Sequence, residues 1–252
     1  MARPVTLITG ASAGLGVEFA RQCARRGEAL ALVARRRERL DEVAAEVGGQ
    51  VHVFAADLAL PGAAAALVNA VEAEGLAIET LINNAGFGLS GRFASQPPER
   101  QSEMIDLNVR TLTELTRLVL PAMLERGHGA ILNVASTAAF QPGPNMAIYY
   151  ATKAFVLSVT EALHHELKGT GIKVSALCPG PTATEFFEVA GVKSPMMSRL
   201  SADAASVVAA GLKGLDRNRA VVIPGLTNKI GAQGSRFLPR AAMRRIIGAI
   251  KV

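Results

Sequence analysis

From Val5 to Gly16 the chain reads Val-Thr-Leu-Ile-Thr-Gly-Ala-Ser-Ala-Gly-Leu-Gly. The stretch opens with a largely apolar run, which is typical of a strand buried on both faces of a parallel sheet. The glycines that follow permit a sharp turn and a close approach of the backbone to a ligand. A helical pattern then begins at once, over Leu15–Arg26. The stretch therefore predicts a strand, a glycine-rich turn and a helix, in that order.

Such a turn can hold a phosphate group, because the N-terminus of the following helix offers unpaired N–H groups and the positive end of the helix dipole. A glycine-rich turn alone is weak evidence. This one lies between the first strand and the first helix of a β-α-β unit, where a dinucleotide binds its pyrophosphate. We therefore favour a dinucleotide site over a merely structural turn, with candidate ligands at Gly10, Ser12, Ala13, Gly14, Leu15 and Gly16.

The alternation of apolar runs and helical patterns continues along the chain of 252 residues. Further strands are predicted at Ala29–Ala34, Val51–Ala55, Thr80–Asn83, Ala130–Ala135, Lys173–Cys178 and Ala220–Ile223. Helices are predicted at Arg37–Val47, Gly62–Glu74, Glu99–Asn108, Val109–Glu125, Tyr149–Leu167 and Ala202–Leu215. This order predicts an α/β protein with one Rossmann-type, doubly wound parallel sheet of about seven strands, flanked by helices on both faces. A single domain over residues 1–252 is expected.

The end of the second strand bears on the choice of nucleotide. Leu32-Val33-Ala34 continues into Arg35-Arg36-Arg37, and the first acidic residue is Glu38. An acidic residue at this place binds the 2′-hydroxyl of NAD, whereas an arginine accommodates the 2′-phosphate of NADP. Arginines at the start of a helix are unfavourable beside its dipole unless an anion binds them. The sequence thus favours NADP(H), held by Arg35 and Arg36, over solvated surface charge.

Further motifs follow the later strands in order. Asp57-Leu58 follows the third strand, Asn83-Asn84-Ala85-Gly86 ends the fourth, and Pro179-Gly180 with Thr184 follows the sixth. Together with the glycine spacing Gly-x-x-x-Gly-x-Gly and the set Asn108, Ser136, Tyr149 and Lys153, they span about residues 5 to 184. In these motifs the chain resembles the short-chain dehydrogenase/reductase family.

The resemblance implies an oxidoreductase with a catalytic set of Asn108, Ser136, Tyr149 and Lys153. It also implies that the NADP(H) site includes Asp57, Leu58, Asn84, Ala85, Gly86, Tyr149, Lys153, Pro179, Gly180, Thr182 and Thr184. In that family the adenine lies against the third strand end, and the segment after the sixth strand covers the nicotinamide. The segment of Asn108 holds a water that links the lysine to solvent.

The proton chemistry can be argued from the residues themselves. Tyr149 and Lys153 are four residues apart, hence on one face of a helix. A nearby ammonium, helped by the nicotinamide cation, should lower the pKa of the Tyr149 phenol from its ordinary value near 10. The phenol could then exchange a proton with a carbinol oxygen, which Ser136 can orient by a hydrogen bond. Tyr150, one position further, should pack or line the helix edge.

Other reactive residues do not form competing sites in the sequence. His164-His165 lacks the spacing of zinc hydrolases, so no metal site is expected. Cys178 reads as a small core residue. Ser136 lacks the glycine elbow of a hydrolase nucleophile.

The loops after the fourth, fifth and sixth strands predict the substrate class, because apolar residues dominate them. These residues and their few polar neighbours are Phe87, Leu89, Phe93, Phe140, Gln141, Pro142, Asn145, Met146, Phe186, Phe187, Met196 and Met197. An uncharged, fairly apolar small-molecule carbonyl or alcohol is expected. Residues 1–184 would form the cofactor-binding and catalytic core, and residues 185–200 a lid over the substrate.

Three functions fit these motifs, and the first is favoured. It is an NADP(H)-dependent carbonyl reductase or alcohol dehydrogenase. The second is a catalytically inactive dinucleotide-binding sensor or regulatory subunit, against which the intact catalytic set argues. The third is a related chemistry through the same cofactor, such as epimerisation or dehydration.

Charge and composition bear on partners and location. Half of the residues are hydrophobic, which excludes a disordered chain. Two cysteines, no recognisable signal peptide and no long apolar run favour a cytoplasmic protein. The +6 net charge lies entirely in residues 229–252, within a basic tail of residues 225–252. A solvated tail helix is favoured over membrane contact, and no nucleic-acid partner is expected.

Helices Val109–Glu125 and Tyr149–Leu167 can pair across a two-fold axis, so we expect a homo-oligomer, a dimer or a tetramer.

Overall fold

The computed structural model describes residues 2–191, 201–235 and 237–249. Its strands are β1 (Arg3–Thr9), β2 (Leu30–Ala34), β3 (Val51–Ala55), β4 (Leu76–Asn83), β5 (Gly129–Val134), β6 (Ile172–Leu177) and β7 (Val221–Val222). Its helices are α1 (Gly14–Arg25), α2 (Arg37–Val47), α3 (Ala63–Ala73), α4 (Pro98–Ile105), α5 (Leu112–Arg126), α6 (Ala147–Glu166), α7 (Phe186–Val189), α8 (Ala204–Asp216), α9 (Leu226–Gly234) and α10 (Arg240–Ala249).

The strands form one parallel sheet in the order β3-β2-β1-β4-β5-β6-β7. The strand order reverses between β1 and β4, and ligands of such sheets bind in the crevice at this switch point, beyond the carboxyl ends of the strands. The predicted Rossmann-type sheet of seven strands is confirmed. Strand β4 begins at Leu76 rather than Thr80, since Glu79 interrupts an apolar run whose earlier members Leu76 and Ile78 are buried.

Helices cover both faces of the sheet, as the unbroken apolar runs of the strands require. On one face α3 and α5 pack side chains such as Leu67 and Met123 into the core. On the other face α1, α2 and α8 contribute Phe19, Leu40 and Val208. The sheet is thus a rigid central layer, and the ends of its strands hold the loops that follow them.

A buried polar cluster ties the middle of the sheet to the helices. Asn83 Nδ2 donates to Thr116 Oγ1 at 3.1 Å and to Asn133 Oδ1 at 2.9 Å. Asn133 Nδ2 donates in turn to Thr160 Oγ1 at 3.0 Å. These bonds join β4 and β5 to α5 and α6. They fix the strand ends from which Asn84 and Ser136 follow.

The two helices predicted to meet at Asn108 are joined differently. Helix α4 passes into a π-helical turn at Asp106–Thr111, and α5 follows without a break. A π turn holds one more residue than an α turn and is common at functional sites. Hydrophobic periodicity does not distinguish the two kinds of turn, so the sequence could not predict it.

The tail is helical in its described part. Gly225 has a φ of +83° at the start of α9. Arg240, Met243, Ile246, Ile247 and Ile250 recur at near-helical spacing in the sequence, and the first four of them lie in α10. Ile250 lies outside the described residues. None of the helices in the described ranges combines the length and the apolar character that crossing a bilayer requires.

Candidate active site

A cleft of about 500 Å³ opens at the carboxyl ends of the strands, and most of the predicted site residues line it. The predicted residues in its lining are Gly10, Ser12, Ala13, Gly14, Leu15, Arg35, Arg36, Asp57, Leu58, Asn84, Ala85, Gly86, Ser136, Tyr149, Lys153, Pro179, Gly180, Thr182 and Thr184. Gly16 and Asn108 are buried outside this lining. The strand ends thus bring together residues that lie up to 174 positions apart, from Gly10 to Thr184.

The glycine turn is built for close packing. A methyl group on Gly10 would lie 2.9 Å from the Cα of Ala85, and one on Gly16 would lie 2.0 Å from the carbonyl oxygen of Gly10. Gly16 was predicted as a cofactor ligand; it packs against the glycine turn, and its contact with the cofactor stays a prediction. Because α1 has neither a side-chain cap nor an acidic residue in its first turn, its N-terminal N–H groups can receive an anion. This cradle fits the pyrophosphate of a dinucleotide.

Thr9 joins two strand ends and was missed in the sequence. Its hydroxyl accepts hydrogen bonds from the N–H groups of Asn84 and Ala85, both at 3.0 Å. The carboxamide of Asn84 donates to the carbonyl of Thr9 at 2.9 Å. Thr9 therefore holds the Asn-Asn-Ala-Gly segment against the glycine turn. The sequence offered one indication of this role, since Thr9 lies directly before Gly10 at the end of the first strand.

The two predicted phosphate ligands are paired with carboxylates in this structure. Arg35 Nη1 lies 3.3 Å from Glu103 and 3.9 Å from Asp57. Arg36 Nη2 lies 3.3 Å from Glu185 and 3.4 Å from the hydroxyl of Ser12. The carboxylates offset the unfavourable charge at the start of α2, and a bound phosphate would compete with them. No sequence pattern indicated Glu103 as a partner, because it is 68 residues from Arg35.

Tyr149 and Lys153 lie together inside the cleft, and both are buried. The Lys153 Nζ atom is 5.9 Å from the centroid of the Tyr149 ring and donates to the carbonyl of Val134 at 2.8 Å. Burial lowers the pKa of Lys153 to about 8. Burial also raises the pKa of Tyr149 to about 12, although a hydrogen bond with Ser136 acts in the opposite direction.

Burial therefore shifts the pKa of Tyr149 in the direction opposite to the expected lowering. Taking a phenolate out of water is unfavourable, and here that effect is larger than any stabilisation by neighbouring groups. A spacing of four residues in a helix indicates that two side chains share a face. It does not indicate how deeply they are buried.

Asn108 has all of its side-chain contacts within the protein. Its Oδ1 accepts from the N–H of Phe87 at 3.1 Å, and its Nδ2 donates to the carbonyl of Phe87 at 3.0 Å and to Thr152 Oγ1 at 3.1 Å. The hydroxyl of Thr152 donates to the carbonyl of Tyr149 at 2.8 Å. Asn108 thus joins the segment after β4 to the first half of α6, which makes it a positioning residue. Its expected role in holding a water stays a prediction.

Replacing Lys153 by methionine tests how strongly burial disfavours the ammonium. The pKa of Lys153 is about 8 when folded, against an ordinary 10.5. Between these values the unfolded chain binds more protons, so the free energy of unfolding rises with pH. We expect wild type to gain stability relative to Lys153→Met across this window, by on the order of 3 kcal/mol.

Urea unfolding at a series of pH values measures that difference. The exposed Lys168→Met is the matched control for the loss of an amine. A difference between wild type and Lys153→Met that stays constant through the window would contradict the burial effect.

The apolar loop residues divide into two groups. Among those predicted to face the substrate, the cleft lining includes Phe87, Gln141, Met146, Phe186 and Phe187, together with Tyr150 at the edge of α6. The lining does not include Leu89, Phe93, Phe140, Pro142 or Asn145. Phe140 packs into the core beside Ala232 of α9, and Phe93 is exposed. Met196 and Met197 lie outside the described residues, as does the second half of the expected lid.

The cleft lining also contains Arg100, which the sequence analysis did not identify. The guanidinium of Arg100 lies 4.5 Å from the centroid of the Phe87 ring and forms an ion pair with Glu103. The other reactive side chains belong to the scaffold: His164 Nδ1 lies 2.8 Å from the carbonyl of Val174, and Cys178 is buried. In the part of the chain that the structure describes, no three histidine, cysteine or acidic residues could hold a metal ion together.

Comparison with known proteins identifies the class of this fold and site. A profile of the short chain dehydrogenase family matches residues 4–193. The chain is 37% identical over 193 residues to a very-long-chain 3-oxoacyl-CoA reductase of Anas platyrhynchos, covering 73% of this chain but only 61% of that protein. It is 37% identical over 187 residues to an NADP-dependent 3-hydroxy acid dehydrogenase of Escherichia coli K12, covering 73% of this chain and 75% of that protein.

Solved structures agree with this match. A short-chain dehydrogenase from Sphingobium yanoikuyae in complex with NADPH has a TM-score of 0.83 and 39% sequence identity, covering 98% of this chain and 96% of that chain. The chain belongs to the short-chain dehydrogenase family. It is accordingly an oxidoreductase of that family.

Proposed function

We propose that this protein transfers a hydride between NADP(H) and an uncharged, fairly apolar carbonyl or alcohol, with Tyr149 as the general acid/base. One observation carries the proposal. Ser136, Tyr149 and Lys153 lie together at the apolar part of a cleft that also contains Arg35 and Arg36. Such a cleft can hold both parts of a phosphorylated dinucleotide and a carbonyl compound beside the nicotinamide.

The choice of nucleotide rests on the residues and on the relatives. The cradle at Gly10–Gly14 suits a pyrophosphate, and Arg35 and Arg36, which line the same cleft after β2, support an assignment as ligands of a 2′-phosphate. One relative is NADP-dependent by name, and one structural neighbour is a complex with NADPH. When bound, the nucleotide supplies or accepts the hydride.

The raised pKa of Tyr149 suits this residue to the role of proton donor in carbonyl reduction at neutral pH. With its pKa raised to about 12, the Tyr149 phenol is protonated and can donate to the oxygen of a carbonyl. With its pKa near 8, Lys153 is mostly charged at pH 7. The reverse reaction needs the phenolate to accept the alcohol proton, so alkaline conditions should favour it.

The substrate class follows from the lining around Tyr149. Phe186 packs against Tyr149 with ring centroids 5.2 Å apart, and Phe87 and Met146 belong to the same cluster. Arg100, the cation in the lining that the sequence analysis did not name, forms an ion pair with Glu103 and a cation–π contact with the Phe87 ring. These contacts favour an apolar substrate over an anionic one.

A homo-oligomer also remains part of the proposal. Leu118 and Leu124 on α5 and Phe155 on α6 are exposed, with 40%, 45% and 39% of their surface accessible. Pairing these helices with those of a second copy would cover part of this exposed apolar surface.

Calorimetric titration with NADPH and NADH, followed by a panel of ketones and aldehydes, tests the proposal. We expect NADPH to bind about 10- to 100-fold more tightly, since a 2′-phosphate makes charge-assisted hydrogen bonds. Consumption of NADPH with apolar ketones should follow. Equal affinity for both nucleotides would contradict the role of Arg35 and Arg36, and binding of neither would contradict the cofactor assignment.

A further inference from the structure

The net charge of the chain is concentrated in one stretch of the sequence. Residues 229–252 hold six basic residues and no acidic one. Since the whole chain has 27 basic and 21 acidic residues, the remainder is neutral. We call the exposed surface of residues 226–235 and 237–249, on α9, α10 and the turn between them, the basic tail face.

The described cations of this face lie free in solvent. Lys229, Arg240, Arg244 and Arg245 are all exposed. In the described ranges, every ion pair lies between Glu18 and Asp216, so these four cations have no acidic partner within 4.0 Å. Elsewhere in the described ranges, nine arginines between Arg21 and Arg110 form ion pairs with acidic residues.

Large apolar side chains lie among these cations. Leu226 and Ile230 are one helical turn apart on α9 and are 74% and 65% exposed. Phe237, in the turn before α10, is 86% exposed, and Leu238 and Ile246 are also exposed. Exposed aromatic and aliphatic side chains mixed with lysine and arginine are the pattern of a surface that rests in the interface of a lipid bilayer.

The basic tail face is held in place by the body of the protein. Ala232 is buried in a core cluster with Ala139 and Phe140, on the opposite side of α9 from Ile230. Asn228 lies so close to Gly180 that a methyl group there would be 2.4 Å from its Oδ1. Gly180 lines the cleft, so the face lies beside the site rather than at the far end of the sheet.

We infer that the basic tail face docks the protein onto an anionic lipid surface. Lysine and arginine side chains are attracted to acidic headgroups, while the exposed Phe237 and Ile230 enter the apolar boundary below them. A second copy meeting the same face would bring four described cations against four like charges, which disfavours that occupant. A nucleic acid would neutralise the charge but leave the apolar side chains in water. This inference does not depend on the proposed reaction.

Flotation with lipid vesicles tests the docking in the full-length protein. We expect wild type to float with phosphatidylcholine vesicles that contain phosphatidylglycerol, to stay behind with phosphatidylcholine alone, and to be released by raised salt. The pair Arg244→Gln/Arg245→Gln should weaken vesicle binding by about 10- to 30-fold. The pair Ile230→Ser/Phe237→Ser should weaken it by about tenfold.

Matched controls remove the same groups elsewhere. Lys213→Gln/Arg217→Gln removes two exposed positive charges, one in α8 and one just after it. Leu60→Ser removes an exposed apolar side chain outside the basic tail face. Both should bind vesicles as wild type does, and circular dichroism melting verifies that all variants fold. Three results would overturn the inference. Wild type could fail to float at low salt. Sedimentation could show an oligomer that Ile230→Ser/Phe237→Ser dissociates. Duplex DNA could bind through Arg244 and Arg245 while vesicles do not.

Discussion

Replacing Tyr149 by phenylalanine should lower the kcat of carbonyl reduction by about 10²- to 10⁴-fold. The variant keeps the ring, its contact with Phe186 and its burial, and loses only the hydroxyl that would donate the proton. NADPH binding should stay within about twofold of wild type, because an interaction made only in the transition state affects kcat rather than binding. Stopped-flow turnover and calorimetric titration measure the two quantities separately.

Tyr150→Phe is the matched control. It removes the same hydroxyl one residue further along α6, where the ring lies 6.1 Å from that of Tyr149. We expect its kcat to stay within a few-fold of wild type. Normal turnover in Tyr149→Phe would remove Tyr149 as the acid. A protein whose biological effect persists without any turnover would instead be a nucleotide-binding sensor.

Replacing Arg35 by alanine should weaken NADPH binding by about 10- to 100-fold and leave NADH binding nearly unchanged. The guanidinium of Arg35 lies at the cleft end of β2, 3.3 Å from Glu103. A 2′-phosphate would exchange that carboxylate for a dianion, whereas the 2′-hydroxyl of NADH offers no charge. Removal of Arg35 also leaves Glu103 beside the phosphate, which adds repulsion.

Arg37→Ala controls for the loss of one positive charge in the same region. Arg37 pairs with Asp41 at 3.1 Å on α2 and does not line the cleft. Its removal should change the affinity for both nucleotides little. Equal losses of NADPH and NADH affinity in Arg35→Ala would show that the arginine supports the structure of the site rather than reading the phosphate.

Much of this fold could be predicted because its signals are local. A strand buried on both faces is an apolar run in the sequence, and the glycines after β1 predict the turn. That Ser136, Tyr149 and Lys153 line one cleft could be predicted from motif order alone. By contrast, the pairing of Arg35 with Glu103 depends on where α4 packs, and no local pattern carries that information.

The direction of the Tyr149 pKa shift could not be predicted, for a related physical reason. The sequence shows the ammonium that should favour the phenolate, yet the unfavourable effect of burial depends on all the elements that enclose the ring. The role of Asn108 at the site, assigned by motif, stays a prediction. Its contacts with Phe87 and Thr152 depend on a π turn that periodicity cannot reveal.

The separation of charge between the body and the tail has a consequence for handling the protein. The sequence isoelectric point of about 9.7 is a property of the tail, since the rest of the chain has equal numbers of acidic and basic residues. A version cut before Lys229 would carry no formal net charge at pH 7, and proteins near zero net charge tend to self-associate and precipitate. Retention on a cation exchanger therefore reports whether the tail is accessible. The charge of the tail also keeps the protein in solution, because the repulsion between tails opposes self-association of the otherwise neutral chain.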